Sequence, residues 1–560
     1  MTFPKSSSPE PSEALPLDVP PCSNGEFIPA EPTREQRAIM SLAEEECDKV
    51  ARRLGLSRRR FLRTGAATAI CLIAIDKVMG ADAGGYVFGQ TLPISRAGNC
   101  NLEFPNAQLS HGPGEFIFDI QTHHVEPSGA WRNTGLDKFY AMVFPQSRCG
   151  ESDPMECLSR RHFIKELYLD SSTDVCVLSA VPALPGTNPV STNDAARTVA
   201  MVNEMAKSQR CIMHAFVMPN YGISSGGGEP KYMKRELEAM EQAAQHHKGI
   251  LRAWKVYTPQ GDVPGAGGWW LDDKVGNAFL EQVRLVSDKY GVPKIVCTHK
   301  GFAFPGFDQE KAATRDVGVA AKAHPDITFI VYHSGFDVPA DGAGLGQSRG
   351  PYPEGAGEDG ISSSERGVLN FIKALRENGH DATRFIAPGL SHGNIPNVYA
   401  ELGSVWSAFV SMSVDDRTYL LCNLIRYIGP KRVLWGTDSL WYGSPQPFIV
   451  AMRNFQMNPK IASSPLYKLP YGLDGDIDDP TRNALSAASY MTSNPAVTGW
   501  PSDKVAHPER SIRNAILGRN AAVPYGIDPS AKLRALSCDQ LETVREEYRA
   551  EPFCDQNRTL

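Results

Sequence analysis

The sequence predicts a (β/α)8 barrel of the TIM type, an α/β fold with insertions on its C-terminal face. Three observations lead there. Eight short apolar runs, at 116–121, 175–181, 211–218, 251–257, 294–299, 328–333, 397–402 and 432–436, are rich in Val, Ile and Phe with little alternation. Strands buried on both faces, as in a parallel sheet, read this way. Helical patterns fall between them, at 193–208, 233–247 and 271–290. Four of the runs also deliver a metal-type ligand at their C-terminal end: F-D-I-Q-T-H-H around His123, I-V-C-T-H-K around His299, F-I-V-Y-H-S around His333 and V-L-W-G-T-D around Asp438. In a closed parallel barrel those ends meet on one face, so residues far apart in sequence become neighbours. The order His, His, His, Asp reads as an enzyme.

Composition limits the alternatives. A chain of 560 residues holds one large catalytic domain with extensions, or several ordinary domains. Its 42% hydrophobic and 21% charged residues are ordinary for a globular protein. A net charge of −6 gives no basic footprint for nucleic acid. The 13 His and 12 Cys include no C-x-x-C pair, which argues against a zinc ribbon or a thioredoxin-type redox site.

Along the chain, residues 1–56 read as a Pro/Ser-rich disordered extension that ends in a charged amphipathic helix over 33–50. The segment Ser57-Arg58-Arg59-Arg60-Phe61-Leu62-Arg63 resembles the twin-arginine export signal. A moderately apolar stretch, 64–80, and a small-residue site, Ala81-Asp82-Ala83, follow it. Residues 57–83 are therefore set apart from the fold, and the expected location is periplasmic or extracellular, with the twin-arginine machinery as a partner. The apolar stretch is too short to span a bilayer and contains Asp76 and Lys77, so no stable membrane span is expected. Cleavage after Ala83 would remove Cys22, Cys47 and Cys71, and disulfides become possible in that compartment without spacing assigning them. The barrel occupies 86–530, and 531–560 is a helical tail, with the helical pattern itself running over 529–550. Insertions at 126–166, 335–365 and 457–503 follow the first, sixth and eighth strands, where lids and pocket walls are built. For the third, surface decoration is an equal alternative. No internal repeat is found.

The strand ends resemble the amidohydrolase superfamily, in particular its amidohydrolase-related group of metal-dependent hydrolases and aminocarboxymuconate-semialdehyde-type decarboxylases. The stretches that carry the resemblance are D-I-Q-T-H-H (119–124), A-W-K-V-Y-T-P (253–259), C-T-H-K-G (297–301), V-Y-H-S-G (331–335), Y-A-E-L-G (399–403), L-W-G-T-D (434–438) and I-L-G-R-N-A-A (516–522). It covers about residues 115 to 530. The chain departs from the pattern at the first strand, where the family's H-x-H becomes Gln121-Thr122-His123. An amide oxygen can bind a divalent cation but carries no charge. Asp119 is expected to orient Gln121 or to act as a ligand itself.

The resemblance implies one divalent ion, with zinc the expected metal, held by His123, His299 and Asp438 with help from Gln121. Asp438 also takes a proton from water, and His333 beside the metal stabilises an oxyanion or shuttles a proton. Lys255 anchors a substrate carboxylate, and Glu401, Lys300 and Trp441 complete the pocket, with Trp435 and Tyr442 near it. Each residue has a plain structural alternative: a core histidine bonded to a carbonyl for His123, a helix cap for Asp438, an ion-paired barrel lysine for Lys255. His124 should face away from His123 by strand alternation. The expected activity is hydrolysis of an ester, lactone or amide carbonyl in a small, carboxylated substrate. Non-oxidative decarboxylation of an aromatic or muconate-type acid is the alternative, and a metal-free ligand-binding barrel the third. A homo-oligomer is left open.

Overall fold

A computed structural model describes residues 34–53, 57–58, 111–112, 115–224, 228–301, 303, 306–337, 367–380, 395–409, 414–484, 508–536 and 539–550. Most of the export segment, most of the second insertion and part of the third lie outside these residues.

Eight parallel strands follow one another around a single sheet in chain order: β1 (Phe118–Thr122), β2 (Val175–Leu178), β3 (Cys211–Phe216), β4 (Leu251–Tyr257), β5 (Ile295–His299), β6 (Thr328–Tyr332), β7 (Val398–Glu401) and β8 (Val433–Leu434). The ring closes between the last strand and the first. Ile120 N–H donates to Trp435 O at 3.1 Å, Asp438 N–H to Gln121 O at 2.9 Å, and Leu440 N–H to His123 O at 3.1 Å. All eight strands fall on the apolar runs of the sequence, and the fold is the expected (β/α)8 barrel.

Alternation along each strand sorts the side chains into two cores. Phe118, Ile120, Val177, Ile212, Ala253, Cys297, Ile330 and Tyr332 fill the barrel, while Cys176, Val296, Phe329 and Val331 belong to the outer layer under the helices. The same parity decides the mouth. His299 follows Ile295 and Cys297 on the inner face, Lys255 follows Ala253, and Glu401 follows Tyr399.

The helices begin where side chains cap them. Helix Lys274–Tyr290 starts three residues later than the periodicity predicts, because Asp273 accepts from Gly276 N–H at 2.9 Å. The tail is two helices, Pro529–Leu536 and Gln540–Ala550, because Asp539 accepts from Glu542 N–H and starts a second one. Arg210 Nη1, fully buried, lies 2.8 Å from Asp539 Oδ2 and ties that helix to the barrel. The N-terminal helix Arg34–Arg53 buries Ile39, Ala43, Cys47 and Ala51, one stripe at four-residue spacing, on the same core. Among the described residues, no helix is long and apolar enough to cross a membrane.

The first insertion folds as short helices, including Leu136–Val143 and Arg160–Ile164, stapled by a Cys149–Cys157 disulfide. The described part of the third is held by Asp476, 3% exposed, which lies 2.9 Å from Arg482 Nη2 and 3.0 Å from Arg510 Nε. Burial pushes the Asp476 carboxyl up, but its bonds to Arg510 and Arg482 outweigh this and hold it at about 2.

Two outcomes are expected. Arg210→Ala strands a buried carboxylate and should cost about 3–5 kcal/mol in denaturant unfolding. For Asp476, a folded value below the ordinary 3.8 means its contribution is full above that value and fades as pH falls toward 2. Melting curves of wild type and Asp476→Asn should therefore differ at neutral pH and converge in acid.

Candidate active site

The site grows out of the closing seam. Asp119 accepts from Gln121 N–H and from Thr437 N–H, both at 3.1 Å, and from the Thr437 hydroxyl. Its carboxyl is thus committed to joining β1 to the loop after β8. Burial raises it to about 7 against those bonds. The join sets Gln121 and His123 directly beside Asp438.

Asp438 is the hub. Its Oδ1 lies 2.9 Å from His123 Nε2 and accepts from Gln121 Nε2 at 2.8 Å. Its Oδ2 accepts from Ser404 Oγ and lies 3.9 Å from His333 Nε2. Burial pushes this carboxyl up, but the His123 bond and the nearby imidazoles hold it well below the usual range. The His299 ring stands edge-on to His333 with centroids 4.9 Å apart and stacks on Tyr257 at 5.1 Å. The four expected residues therefore form a chain, His123–Asp438–His333–His299. No three of them bring ligand atoms all within 4.8 Å of one another.

The two imidazoles nearest Asp438 are locked in opposite senses. His123 Nδ1 lies 2.8 Å from the Ser179 carbonyl, which can only accept, so that nitrogen carries the proton. Its Nε2 lone pair then faces a carboxylate oxygen, a meeting that needs a shared proton or a cation. His333 Nδ1 instead accepts from Ser404 N–H at 3.2 Å, the shorter of its two ring contacts, which places its proton on Nε2, 3.4 Å from the Gln121 amide nitrogen. Burial lowers its pKa to about 4, which keeps it neutral near pH 7. His333 is thereby a proton donor aimed at the hub.

These residues fit a divalent cation. Two ligands on one zinc-type ion, each at ~2.0–2.1 Å, stand about 3 Å apart, as His123 Nε2 and Asp438 Oδ1 do. Gln121 Oε1 is buried without a hydrogen-bond partner, a spare acceptor beside them. The Ser179 carbonyl behind His123 is the outer support that orients a ligating imidazole.

Deeper in the barrel, Lys255 Nζ is buried without a hydrogen-bond partner, 3.0 Å from the Tyr332 ring centroid. Burial lowers it to about 7, against the pull of Cys297, Glu401 and Asp438. Glu401 Oε2 accepts from His333 N–H at 2.9 Å, while burial raises the carboxyl well above its ordinary value and favours the neutral acid. Trp441 stacks on His123 at 5.1 Å, and Phe144 of the first insertion stacks on Trp441 at 4.4 Å. Lys300 is not brought to this cluster. It is fully buried in a pair with Asp316 at 2.8 Å. His124 points the other way, 2.8 Å from Thr198 Oγ1. Trp435 lies in the outer core, and Tyr442 reaches Ser404 Oγ at 3.0 Å.

The backbone is bent to make this geometry. His333, Ser334 and Asp438 have φ of 56°, 52° and 61°, a region that costs a non-glycine residue about 1–3 kcal/mol. These turns swing side chains back over the mouth after the strands have ended. Sequence reasoning missed Ser404, the Ser179 carbonyl, Phe144 and Tyr140, whose ring centroid lies 5.3 Å from that of Trp441. It also missed the roles of Gly403 and Gly436. A Cβ on Gly436 would lie 1.8 Å from Glu401 Oε1, and one on Gly403 would lie 2.7 Å from both Gln121 Oε1 and His333 Nδ1. Gly403 and Gly436 sit inside Y-A-E-L-G and L-W-G-T-D, and those motif positions were the only signal available.

No protein-family model matches the chain, and no curated protein matches it. Among solved structures it is similar to 2,6-dihydroxybenzoate decarboxylase from Rhizobium, at 13% identity over 64% of this chain and 96% of that one, with a TM-score of 0.32. It is also similar to dihydroxybenzoic acid decarboxylase from Polaromonas sp. JS666 with bound manganese and 2-nitroresorcinol, at 14% identity over 64% and 94%, TM-score 0.33. A third is amidohydrolase 2 from Bifidobacterium longum subsp. infantis, at 13% identity over 74% and 100%, TM-score 0.27. At such identities and scores the likeness says nothing about what this chain binds or catalyses, which rests on its own residues.

Gly436→Ala should force Glu401 aside or strain the seam, lowering stability by about 1–3 kcal/mol. Thermal melts beside wild type would show the loss. An unchanged melting temperature would mean Glu401 does not pack there.

Proposed function

We propose that the chain is a metal-dependent hydrolase acting on an ester, lactone or amide carbonyl of a small, carboxylated molecule. The observation that carries this reading is the opposed locking of the two imidazoles around Asp438. One offers a lone pair beside a carboxylate, and the other offers an N–H.

His123, Asp438 and Gln121 would hold the ion, with His299 the next donor along the chain of rings. When bound, a divalent cation supplies Lewis-acid polarisation of a carbonyl oxygen. Asp438 is ionised and positioned to take a proton from an attacking water through Oδ2, where Ser404 orients it. His333 Nε2–H donates toward the charge that develops on the carbonyl oxygen or the leaving group. Lys255, which has no carboxylate within hydrogen-bonding distance, receives an anionic substrate group. Trp441 and Phe144 form a flat apolar wall that excludes water.

That wall favours a second reading, decarboxylation of an aromatic acid, because stacked rings suit a planar substrate. In that case the bond to the carboxyl carbon breaks to release carbon dioxide, the electron pair stays on the ring carbon, and that carbon takes a proton relayed through His333 and Asp438, while Lys255 holds the carboxylate until the bond breaks. For location, the Cys149–Cys157 disulfide supports export to an oxidising compartment, in line with the twin-arginine resemblance of residues 57–63.

A panel of lactones, esters and aromatic acids decides the chemistry: acid release without carbon dioxide from a lactone or ester supports the hydrolase, and carbon dioxide release from an aromatic acid overturns it. Chelation should abolish turnover and added divalent metal should restore it. His333→Ala should lower kcat by about 10²-fold or more. His123→Ala and Asp438→Ala should also lose bound metal, and full metal content in both would end the ligand assignment.

A further inference from the structure

The first insertion holds a second group of metal-type ligands, away from the barrel mouth. Cys149 Sγ, a Glu151 carboxylate oxygen and a His162 ring nitrogen all lie within 4.8 Å of one another. His162 Nε2 lies 3.1 Å from Glu151 Oε1 and 3.9 Å from Cys149 Sγ. Cys157, fully buried, is bonded to Cys149 and brings a fourth donor to the same point. The four residues span C-x-E-x5-C-x4-H within one loop-borne unit, with Cys149 directly after the turn Pro145–Arg148, Cys157 in the turn Glu156–Leu158 and His162 in the helix Arg160–Ile164.

We propose that this unit has two states, a disulfide and, once reduced, a structural site for a zinc-type cation bound by Cys149, Cys157, His162 and Glu151. Soft thiolates with an imidazole and one carboxylate are a donor set that such a cation takes in tetrahedral geometry. Its thiolates stand ~3.8 Å apart when each is ~2.3 Å from the ion, and the Cα–Cα distance of 5.6 Å leaves that within side-chain reach. Little else has to move, since His162 and Glu151 already lie beside Cys149. Arg161 Nη2 holds Glu151 at 2.9 Å and also lies 3.5 Å from Glu156 Oε2, so Glu156 can keep the guanidinium when Glu151 turns to the cation.

The change balances with a dithiol as reductant. A thiolate of the dithiol attacks Cys149 Sγ, which is partly exposed where Cys157 is buried, and Cys157 leaves as thiolate. The second dithiol sulfur then displaces Cys149. The dithiol becomes a disulfide, and two electrons and two protons pass to the protein. Cation binding afterwards releases two protons from the thiols.

Cobalt titration of the full chain tests this independently of the barrel mouth. Protein reduced by a phosphine under argon should bind Co²⁺ with a thiolate-to-cobalt charge-transfer band and the strong visible bands of a tetrahedral site, and zinc should displace it. The unreduced chain should lack the thiolate-to-cobalt band. The Cys149→Ser/Cys157→Ser variant should lose the thiolate-to-cobalt band, while Asp438→Ala should keep it. His162→Ala and the milder Glu151→Gln should weaken binding by about tenfold or more, with wild-type circular dichroism before reduction as the folding control. A reduced wild type without a thiolate band, or a thiolate band that persists in the double serine variant, would overturn the proposal.

Discussion

The seam between the first and last strands is the constraint on which the rest of the structure depends. Gln121 and His123 belong to β1 and its continuation, and Asp438 to the loop after β8, 317 positions from Gln121 in the chain. They meet only because the ring closes in one register. The backbone bonds from Asp438 N–H to Gln121 O and from Leu440 N–H to His123 O fix that register. Asp119 reinforces it by binding the Thr437 hydroxyl and backbone together, inside a core that would otherwise penalise a carboxyl. A slip of one residue would turn Gln121 or His123 out of the mouth, since strand side chains alternate. Closing the barrel and assembling the site are therefore one event.

Burial then gives each polar group a distinct protonation state. Glu401 and Lys255 share the inner face, and both are pushed by desolvation toward their neutral forms. Asp438 stands among donors and stays ionised. His333 is neutral with its proton on the side facing Asp438. One ionised carboxylate, one carboxyl that burial shifts toward its neutral form and one N–H donor are thus held close together in the resting protein. Preorganisation of this kind lets groups act without reorienting when charge develops on a substrate.

The sequence made the barrel legible because buried parallel strands leave continuous apolar runs and their ends carry the chemistry. Alternation along the first run also turned His124 away from His123, as the structure has it. Other features depend on what lies across the fold. Lys300 reads as a mouth residue by its position after β5, but its partner Asp316 comes from the following helix and draws it into a closed pair. The left-handed turns at His333 and Asp438 leave no composition signature, because both positions hold ordinary residues where glycine would be easier. Which nitrogen of His123 or His333 carries a proton is set by a carbonyl on β2's continuation and an amide after β7, groups that nearly every residue possesses. The Cys149–Cys157 pair was equally silent, since spacing alone does not assign a disulfide.

The departure at Gln121 becomes intelligible in this setting. An imidazole there would compete with His123 and His333 for the single carboxylate of Asp438. An amide can donate to Asp438 Oδ1 and still leave its oxygen as a neutral acceptor without a hydrogen-bond partner. Gly403 leaves room for that oxygen, with a would-be Cβ only 2.7 Å from it. The cradle then holds one ionised carboxylate, while Lys255 nearby contributes positive charge whenever it is protonated. Each further cation would have to be stabilised by the same carboxylate against that charge, at the higher Coulomb cost of a buried site. Under the proposed reading, Gln121 and the buried lysine would together suit one cation, with the lysine left to meet an anionic group of the substrate.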